Sequence, residues 1–279
     1  MINNILALID LTDQLSSHLK PTIQLTKKLN ARLILLKCYP IYTEEFTTEQ
    51  FGGLTAPIEP FDEDKIREST EKRLNELSEL QDIEYQLLVM PGSAHTLLSN
   101  MPEEFTPDLL VLNSEESTDL EAFFGTKAEL LSRESNCSVL IIPENYKYQP
   151  LKRVGLALDE GETKDEISLE DLQPFIVRYE ASVEAFHVTE KKTEELTTAQ
   201  KDIYQSLKEK MLNNDIHHFK YHTIIESDIT EGIQEFIDAQ NMDLLVLLYR
   251  DHGFFKRLFS PGTRKQMIRK AGIPMLILK

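Results

Sequence analysis

The chain has 279 residues, of which 41% are hydrophobic and 28% charged, a composition that fits one large globular domain or two of ~140 residues. Its 47 acidic and 30 basic residues give a net charge of −17, which argues against nucleic acid or an anionic membrane surface as a partner. Two cysteines are too few for a disulfide framework, and no apolar stretch approaches the ~20 residues of a membrane span. Because Met1–Asn4 carry no basic leader followed by an apolar block, we expect a cytoplasmic, reducing location.

Short apolar runs recur along the chain and predict β-strands. They are continuous rather than alternating and rich in Leu, Ile and Val, which is typical of strands buried on both faces of a parallel sheet. In the first half the runs are Ile5–Ile9, Leu33–Cys38, Tyr85–Val89, Leu109–Leu112 and Val139–Ile142. In the second half they are Val154–Leu158, Val183–Val188, Tyr221–Ile225, Leu244–Leu248 and Pro274–Leu278.

Segments of helical length separate these runs. Ile66, Leu74, Leu77 and Leu80 form one apolar stripe, and Leu196, Ile203, Leu207 and Met211 form another. Helices that alternate with buried strands indicate βαβ crossovers. The fold class predicted is α/β, with two tandem three-layer sandwiches that each hold an open five-stranded parallel sheet.

The two halves align on shared landmarks. Asp10 follows the first strand of one half, and Asp159 stands at the same point of the other. Gly125-Thr126 corresponds in the same way to Gly262-Thr263. A repeat of this length predicts domain duplication rather than a solenoid, with domains at 1–144 and 151–279.

Two connecting segments stand outside this repeat. The first half is longer because of an insertion at about 39–62, which contains Gly52, Gly53 and Pro57. A flexible surface connection is the first interpretation of this insertion, and a lid or a contact arm is the alternative. Glu144–Pro150 is polar, ends in proline and is predicted to be the linker between the domains.

Two features mark where chemistry would occur. Ligands of open parallel sheets bind at the carboxyl ends of the strands, where Asp10 and Asp159 stand. Each aspartate would either accept hydrogen bonds from a nucleotide or simply cap the next helix. The stretch 250–265 is the most basic part of this acidic chain and leads into Gly262-Thr263. It would form either an anion site at a helix N-terminus or a solvated helix face.

The order of these elements resembles the universal stress protein family, twice over the whole chain. The match lies in the first-strand aspartate, the long loop after the fourth strand, the Gly-Ser/Thr pair and the closing apolar strand. This resemblance implies a Rossmann-like fold of the adenine nucleotide alpha hydrolase type and a nucleotide held at these positions. In the second half the implied contacts are Asp159, Val188 through its backbone, Gly253, Gly262 and Thr263. Their counterparts in the first half are Asp10, Cys38, Gly125 and Thr126.

Both phosphate loops depart from the family pattern of Gly-x-x-Gly, nine residues, then Gly-Ser/Thr. The first half has Asn113-Ser114-Glu115-Glu116, which lacks glycine and carries two carboxylates that would repel phosphates. The second half keeps Gly253, but at shortened spacing, and Pro261 removes one N–H donor. We therefore expect a degenerate site in the first domain and leave ATP or AMP binding open for the second. The aromatic pair Phe254-Phe255, with Leu258-Phe259, resembles the tandem members common in one branch of bacteria, where the glycine loop is also eroded.

Other chemistries find less support. His217, His218 and His222 cluster in the sequence, but their spacing does not match a metal motif, and no metal is expected. No nucleophile motif stands out, so we expect no enzyme activity beyond weak ATP hydrolysis.

Three functions remain open. The first is a non-catalytic stress-response protein that acts through self-association and protein partners. The second is an ATP- or AMP-binding regulator, and the third is an enzyme of a related nucleotide-transferring fold. Val139–Ile142 and Met275–Leu278 are expected to pair across a pseudo-two-fold within one chain or across a homodimer.

Overall fold

Ten β-strands carry the fold in the computed structural model, which describes residues 2–9, 15–40, 62–99, 101–113, 131, 135–143, 146–158, 169–190, 198–249 and 272–279. The strands of the first half are β1 (Asn4–Leu8), β2 (Arg32–Tyr39), β3 (Tyr85–Pro91), β4 (Leu109–Asn113) and β5 (Ser138–Ile142). Those of the second are β6 (Arg153–Leu158), β7 (Ser182–Thr189), β8 (Phe219–Ile225), β9 (Leu244–Leu248) and β10 (Met275–Leu278). Every predicted strand is present, with bounds shifted by one or two residues at most.

The strands are buried on both faces, as their continuous apolar runs predict. Along β1, Ile5 and Ala7 pack into one hydrophobic cluster, while Leu6 between them packs into a second cluster on the opposite face. Successive side chains of a strand point to opposite faces, so every position must be apolar when helices cover both. This explains why the runs show no polar alternation.

The sheet order is β3-β2-β1-β4-β5-β10-β9-β6-β7-β8. Within each half all neighbouring strands are parallel, which confirms the predicted α/β fold with an open sheet. β5 and β10 pair antiparallel, with Leu140 opposite Leu276. The two five-stranded sheets are therefore continuous as one sheet of ten strands.

The described helices are α1 (Leu15–Leu29), α2 (Glu63–Asn75), α3 (Ala94–Ser99), α4 (Gln173–Tyr179), α5 (Thr198–Asn213) and α6 (Ile229–Gln240). In α5 the predicted stripe is buried at Ile203, Leu207 and Met211, whereas Leu196 lies outside the described residues. None of the described helices is both long and apolar enough to cross a membrane.

The helix predicted through Leu80 is shorter than its stripe suggests. α2 ends at Asn75, and Ser78–Leu80 form a separate 3₁₀ turn in which Leu80 is buried. Leu77 donates its N–H to Leu74, and Leu80 donates to Leu77. The apolar spacing of three residues fits this tighter turn better than a continued α-helix.

One carboxylate contact is repeated at the start of the sheet in both halves. The Oδ2 atom of Asp108 accepts the N–H groups of Asn3 at 2.7 Å and Asn4 at 2.9 Å. Asp243 accepts those of Lys152 and Arg153 at 2.8 and 2.9 Å. The duplication thus extends to individual hydrogen bonds.

The linker is held against the second half of the chain. The hydroxyls of Tyr148 and Tyr179 lie 3.0 Å apart, and Gln149 donates from its side chain to Asp243 at 3.2 Å. Burial raises the pKa of Tyr179 and of Tyr146. The described part of the linker, residues 146–150, is thus a packed segment rather than a free tether.

Candidate functional site

The strand order places the candidate sites at the carboxyl ends of the inner strands. In each half the chain runs outward from the first strand to the second and third, then returns to the fourth on the other side. The direction in which successive strands are added to the sheet reverses between β1 and β4 in the first half and between β6 and β9 in the second. Open parallel sheets bind ligands at this reversal.

The pairing register shows that Cys38 and Val188 occupy equivalent positions. Leu8, the last residue of β1, pairs with Leu36, so Asp10 and Cys38 are each two residues further along. Leu158, the last residue of β6, pairs with His187, so Asp159 and Val188 are each one residue further along. These two residues, which the resemblance implies as nucleotide contacts, therefore occupy equivalent places in the two copies.

The backbone of these two residues faces the reversal point. Thr189 accepts the N–H of Glu226 at 3.0 Å, and Tyr39 accepts that of Gly92 at 2.8 Å, so both carbonyls point towards the third strand of their half. Backbone groups of neighbouring strand residues point in opposite directions. The backbone N–H and C=O groups of Val188 and Cys38 therefore point towards the first strand of their half, just past the ends of β6 and β1.

All of the other predicted site residues lie outside the described residues. They are Asp10, Gly125 and Thr126 in the first half, and Asp159, Gly253, Gly262 and Thr263 in the second. Their roles, like those of Val188 and Cys38, stay predictions.

A helix closes one wall of the second candidate site. Gly232 of α6 packs directly on Val188, so that a Cβ built on Gly232 would lie 2.8 Å from Cγ1 of Val188. Val188 is 9% exposed. Cys38, its counterpart in the first half, is half-buried.

The same wall is acidic in the second half. The carboxylate of Glu226 accepts the N–H of Ser227 at 2.7 Å and that of Asp228 at 3.4 Å. These backbone bonds, the one from Ser227 first, hold the pKa of Glu226 below its usual value. Asp228 in turn caps α6 by accepting from Thr230 and Glu231. Two carboxylates thus take up the N–H groups that would otherwise attract a phosphate.

The first half has neutral residues at this corner. Gly92 takes the place of Glu226 in the hydrogen bond to the second strand. Ser93 then accepts the N–H of Thr96 at 3.2 Å, in front of α3. The two candidate sites therefore differ in charge beside the second strand, as their loops differ in sequence.

The clustered histidines lie at β8 and just before it. His222 contacts the buried carboxylate of Glu184, with Nε2 2.6 Å from Oε2, while His218 lies just before β8. No group of three or more His, Cys, Asp or Glu side chains that could hold a metal ion occurs in the described part of the chain. Sequence reasoning missed Glu184, although a charge inside the apolar run Val183–Val188 is an anomaly that could have been noticed.

The model of the universal stress protein family matches residues 1–143 and again residues 150–279. The chain belongs to the universal stress protein family. The resemblance seen in the sequence is thereby confirmed for both halves. No curated protein matches the chain.

Solved structures share the fold of this tandem universal stress protein over its full length. One is a universal stress protein from Archaeoglobus fulgidus DSM 4304, for which the match covers 100% of this chain and 99% of that protein's chain, at 14% identity and a TM-score of 0.69. For a functionally unknown protein from Pseudomonas aeruginosa PAO1, the match covers 100% of this chain and 92% of that protein's chain, at 14% identity and a TM-score of 0.59. For the cytoplasmic domain of a prokaryotic cation chloride cotransporter, the match covers 99% of this chain and 95% of that chain, at 11% identity and a TM-score of 0.52. These similarities show the fold and leave the function to be argued from the site.

Proposed function

We propose that this universal stress protein is a non-catalytic binding protein with one adenine nucleotide site, located in its second half. The base would lie against the backbone of Val188, and the phosphates would lie at the basic stretch 250–265. Asp159 would accept hydrogen bonds from the ribose. The orientation of the Val188 peptide group, towards the reversal point just past the end of β6, is the observation that carries this proposal.

The distribution of charge supports one orientation of the nucleotide. Glu226 and Asp228 make the side next to Val188 acidic, which disfavours phosphate there and suits the amine and hydroxyl donors of adenosine. Arg250, Lys256 and Arg257 belong to the stretch that follows β9 in the sequence, which we propose as the other side of the site. Opposite charges at the two ends suit a ligand that is neutral at one end and anionic at the other.

The first half is proposed to be a structural or protein-binding copy. Glu115 and Glu116 stand in its sequence where a phosphate loop would need glycine. A carboxylate beside a triphosphate is repelled at close range, and no compensating basic stretch occurs there. The asymmetry of the two copies is therefore part of the proposed function.

The pairing of β5 with β10 supports a pseudo-dimeric assembly within one chain. Edge strands of open sheets are the natural places for self-association. Here the fifth strand of each half is paired with its counterpart, with Leu140 opposite Leu276. We propose that this internal pairing takes the place of a homodimer and that protein partners bind elsewhere.

Calorimetric titration with ATP and AMP tests the nucleotide site. We expect the wild-type chain to bind, and Asp159→Ala or Gly262→Asp to abolish the heat. Asp10→Ala and Gly125→Asp are the matched controls, because they make the same changes at equivalent positions of the first half. Absence of heat from the wild type, or loss of binding in the control variants alone, would overturn the proposal.

A further inference from the structure

The contact between α6 and β7 is closer than any side chain would allow. A Cβ on Gly232 would lie 2.8 Å from Cγ1 and 3.3 Å from Cγ2 of Val188, and 3.1 Å from the Cβ of Glu226. Carbon atoms at 2.8 Å overlap well inside their preferred separation of about 3.5–4.0 Å. Gly232 therefore lets the backbone of α6 rest directly on the end of β7.

Val188 has little freedom to move away from such an overlap. It is held in β7 by its pairing opposite Ile224 in β8, and the next residue, Thr189, accepts the N–H of Glu226. The Cβ of Glu226 also lies close to the missing Cβ, at 3.1 Å. A side chain at position 232 would therefore displace either α6 or the peptide group of Val188.

The fold alone does not require glycine at this point. The first half makes the same crossover with α3 (Ala94–Ser99), which contains no glycine and packs Leu97 and Leu98 against the same hydrophobic cluster as Cys38. Glycine inside a helix also destabilises it relative to alanine. The close approach is thus a feature of the second half, at the residue whose backbone faces the proposed site.

We propose that Gly232 is a positioning residue for nucleotide binding: by letting α6 pack on Val188, it fixes the peptide edge against which the base binds. This inference rests on the proposed function of the second half. Gly232 would not touch the nucleotide, so its effect would pass through Val188.

The experiment compares Gly232→Ala with Gly155→Ala. Gly155 is a second glycine packed tightly in the same half, where a Cβ would lie 3.3 Å from Phe186, but it stands in β6 away from Val188. ATP and AMP affinities are measured by calorimetry, and thermal unfolding is followed without ligand. Methyl NMR of the Val188 side chain reports its position in each variant.

We expect Gly232→Ala to weaken ATP and AMP binding by the same factor, roughly tenfold or more, because only the base side is disturbed. Gly155→Ala should leave both affinities within about twofold of wild type, even where it lowers the unfolding temperature. The Val188 methyl signals should shift in Gly232→Ala and stay in place in Gly155→Ala. The double variant Gly232→Ala/Val188→Ala should recover affinity, because the smaller side chain relieves the overlap.

The outcomes separate the two proposals. If the wild type binds and Gly232→Ala binds equally well, the positioning role is wrong while the nucleotide site stands. If ATP weakens much more than AMP, the variant acts on the phosphate side, and the inference is again wrong. If the wild type binds neither ligand, the proposed function itself fails, and the positioning role fails with it.

Discussion

At the scale of single residues, Asp243 and Asp108 explain how each half fixes the start of its central strand. Each carboxylate accepts two consecutive backbone N–H groups, from the residue just before the strand and from the first residue of the strand, which is β6 for Asp243 and β1 for Asp108. These hydrogen bonds join residues that are 90 to 105 positions apart, so they bring distant parts of each half together. Charge-assisted bonds of this kind are stronger than those between neutral groups.

Replacing Asp243 by alanine should lower the free energy of unfolding by about 2 kcal/mol, because two N–H groups lose a charged acceptor. Asp82→Ala is the control. Its side chain is 79% exposed and meets Lys27 at 3.4 Å, so its removal should cost less than about 0.5 kcal/mol. Urea denaturation followed by circular dichroism measures both, and equal losses would contradict this account.

Cys137 should be unreactive in the folded chain. Burial raises the pKa of its thiol to about 12, from an ordinary value of 9.0. At pH 8 the reactive thiolate is then roughly a thousandfold scarcer than in an ordinary thiol. Alkylation with iodoacetamide, followed by peptide mass spectrometry, should label Cys137 slowly in buffer and rapidly in urea. Equal rates under both conditions would show that the burial is wrong.

At the scale of elements, the strand pair β7–β8 of the second half differs from its counterpart β2–β3 in one position of each strand. Glu184 is 7% exposed and contacts His222 at 2.6 Å, with Lys220 at 3.8 Å. The equivalent positions in β2 and β3 hold Ile34 and Leu88. In both halves the two residues are offset by two positions, since Ile34 pairs with Gln86 and Glu184 pairs with Lys220. The same sheet therefore forms with either a polar or an apolar pair.

His222→Leu should therefore be more harmful than the double variant Glu184→Ile/His222→Leu. The single change leaves a buried carboxylate without its imidazole partner and should cost about 3 kcal/mol. The double change restores the apolar pair of the first half and should stay within about 1 kcal/mol of wild type. Thermal and urea unfolding of both variants measure the difference. A double variant less stable than the single one would contradict the equivalence of the two halves.

The strands were predictable from sequence, whereas the finer features of the site were not. Runs such as Leu244–Leu248 are apolar at every position, and only strands buried on both faces require that. The early end of α2 was missed because a stripe spaced by three residues fits a helix and a 3₁₀ turn almost equally well. Gly232 was missed because its role depends on the distance to Val188, a contact between residues far apart in sequence.

At the scale of the whole molecule, the two halves are joined by backbone pairing as well as by a linker. β5 and β10 continue one sheet across the centre of the molecule. Ser138, at the start of β5, adds a hydrogen bond to Asp171 at 2.5 Å and accepts the N–H of Lys279 at 3.2 Å. These contacts join the copies firmly, even though their sites differ in charge.

A disulfide across the centre of the sheet would test this arrangement. In a chain whose own cysteines are replaced by alanine, Leu140→Cys/Leu276→Cys should form an intrachain disulfide on mild oxidation, because the two residues are directly opposite. Non-reducing electrophoresis should show a monomer of increased mobility. A covalent dimer as the main product would mean that the strands pair between chains.

We propose that the two copies share one fold and that only the second binds a nucleotide. Native mass spectrometry of the wild-type chain with ATP counts bound ligands most directly. We expect one nucleotide per chain, lost in Asp159→Ala and retained in Asp10→Ala. Two nucleotides per chain, or none at ATP concentrations that saturate an ordinary adenine nucleotide site, would contradict the claim.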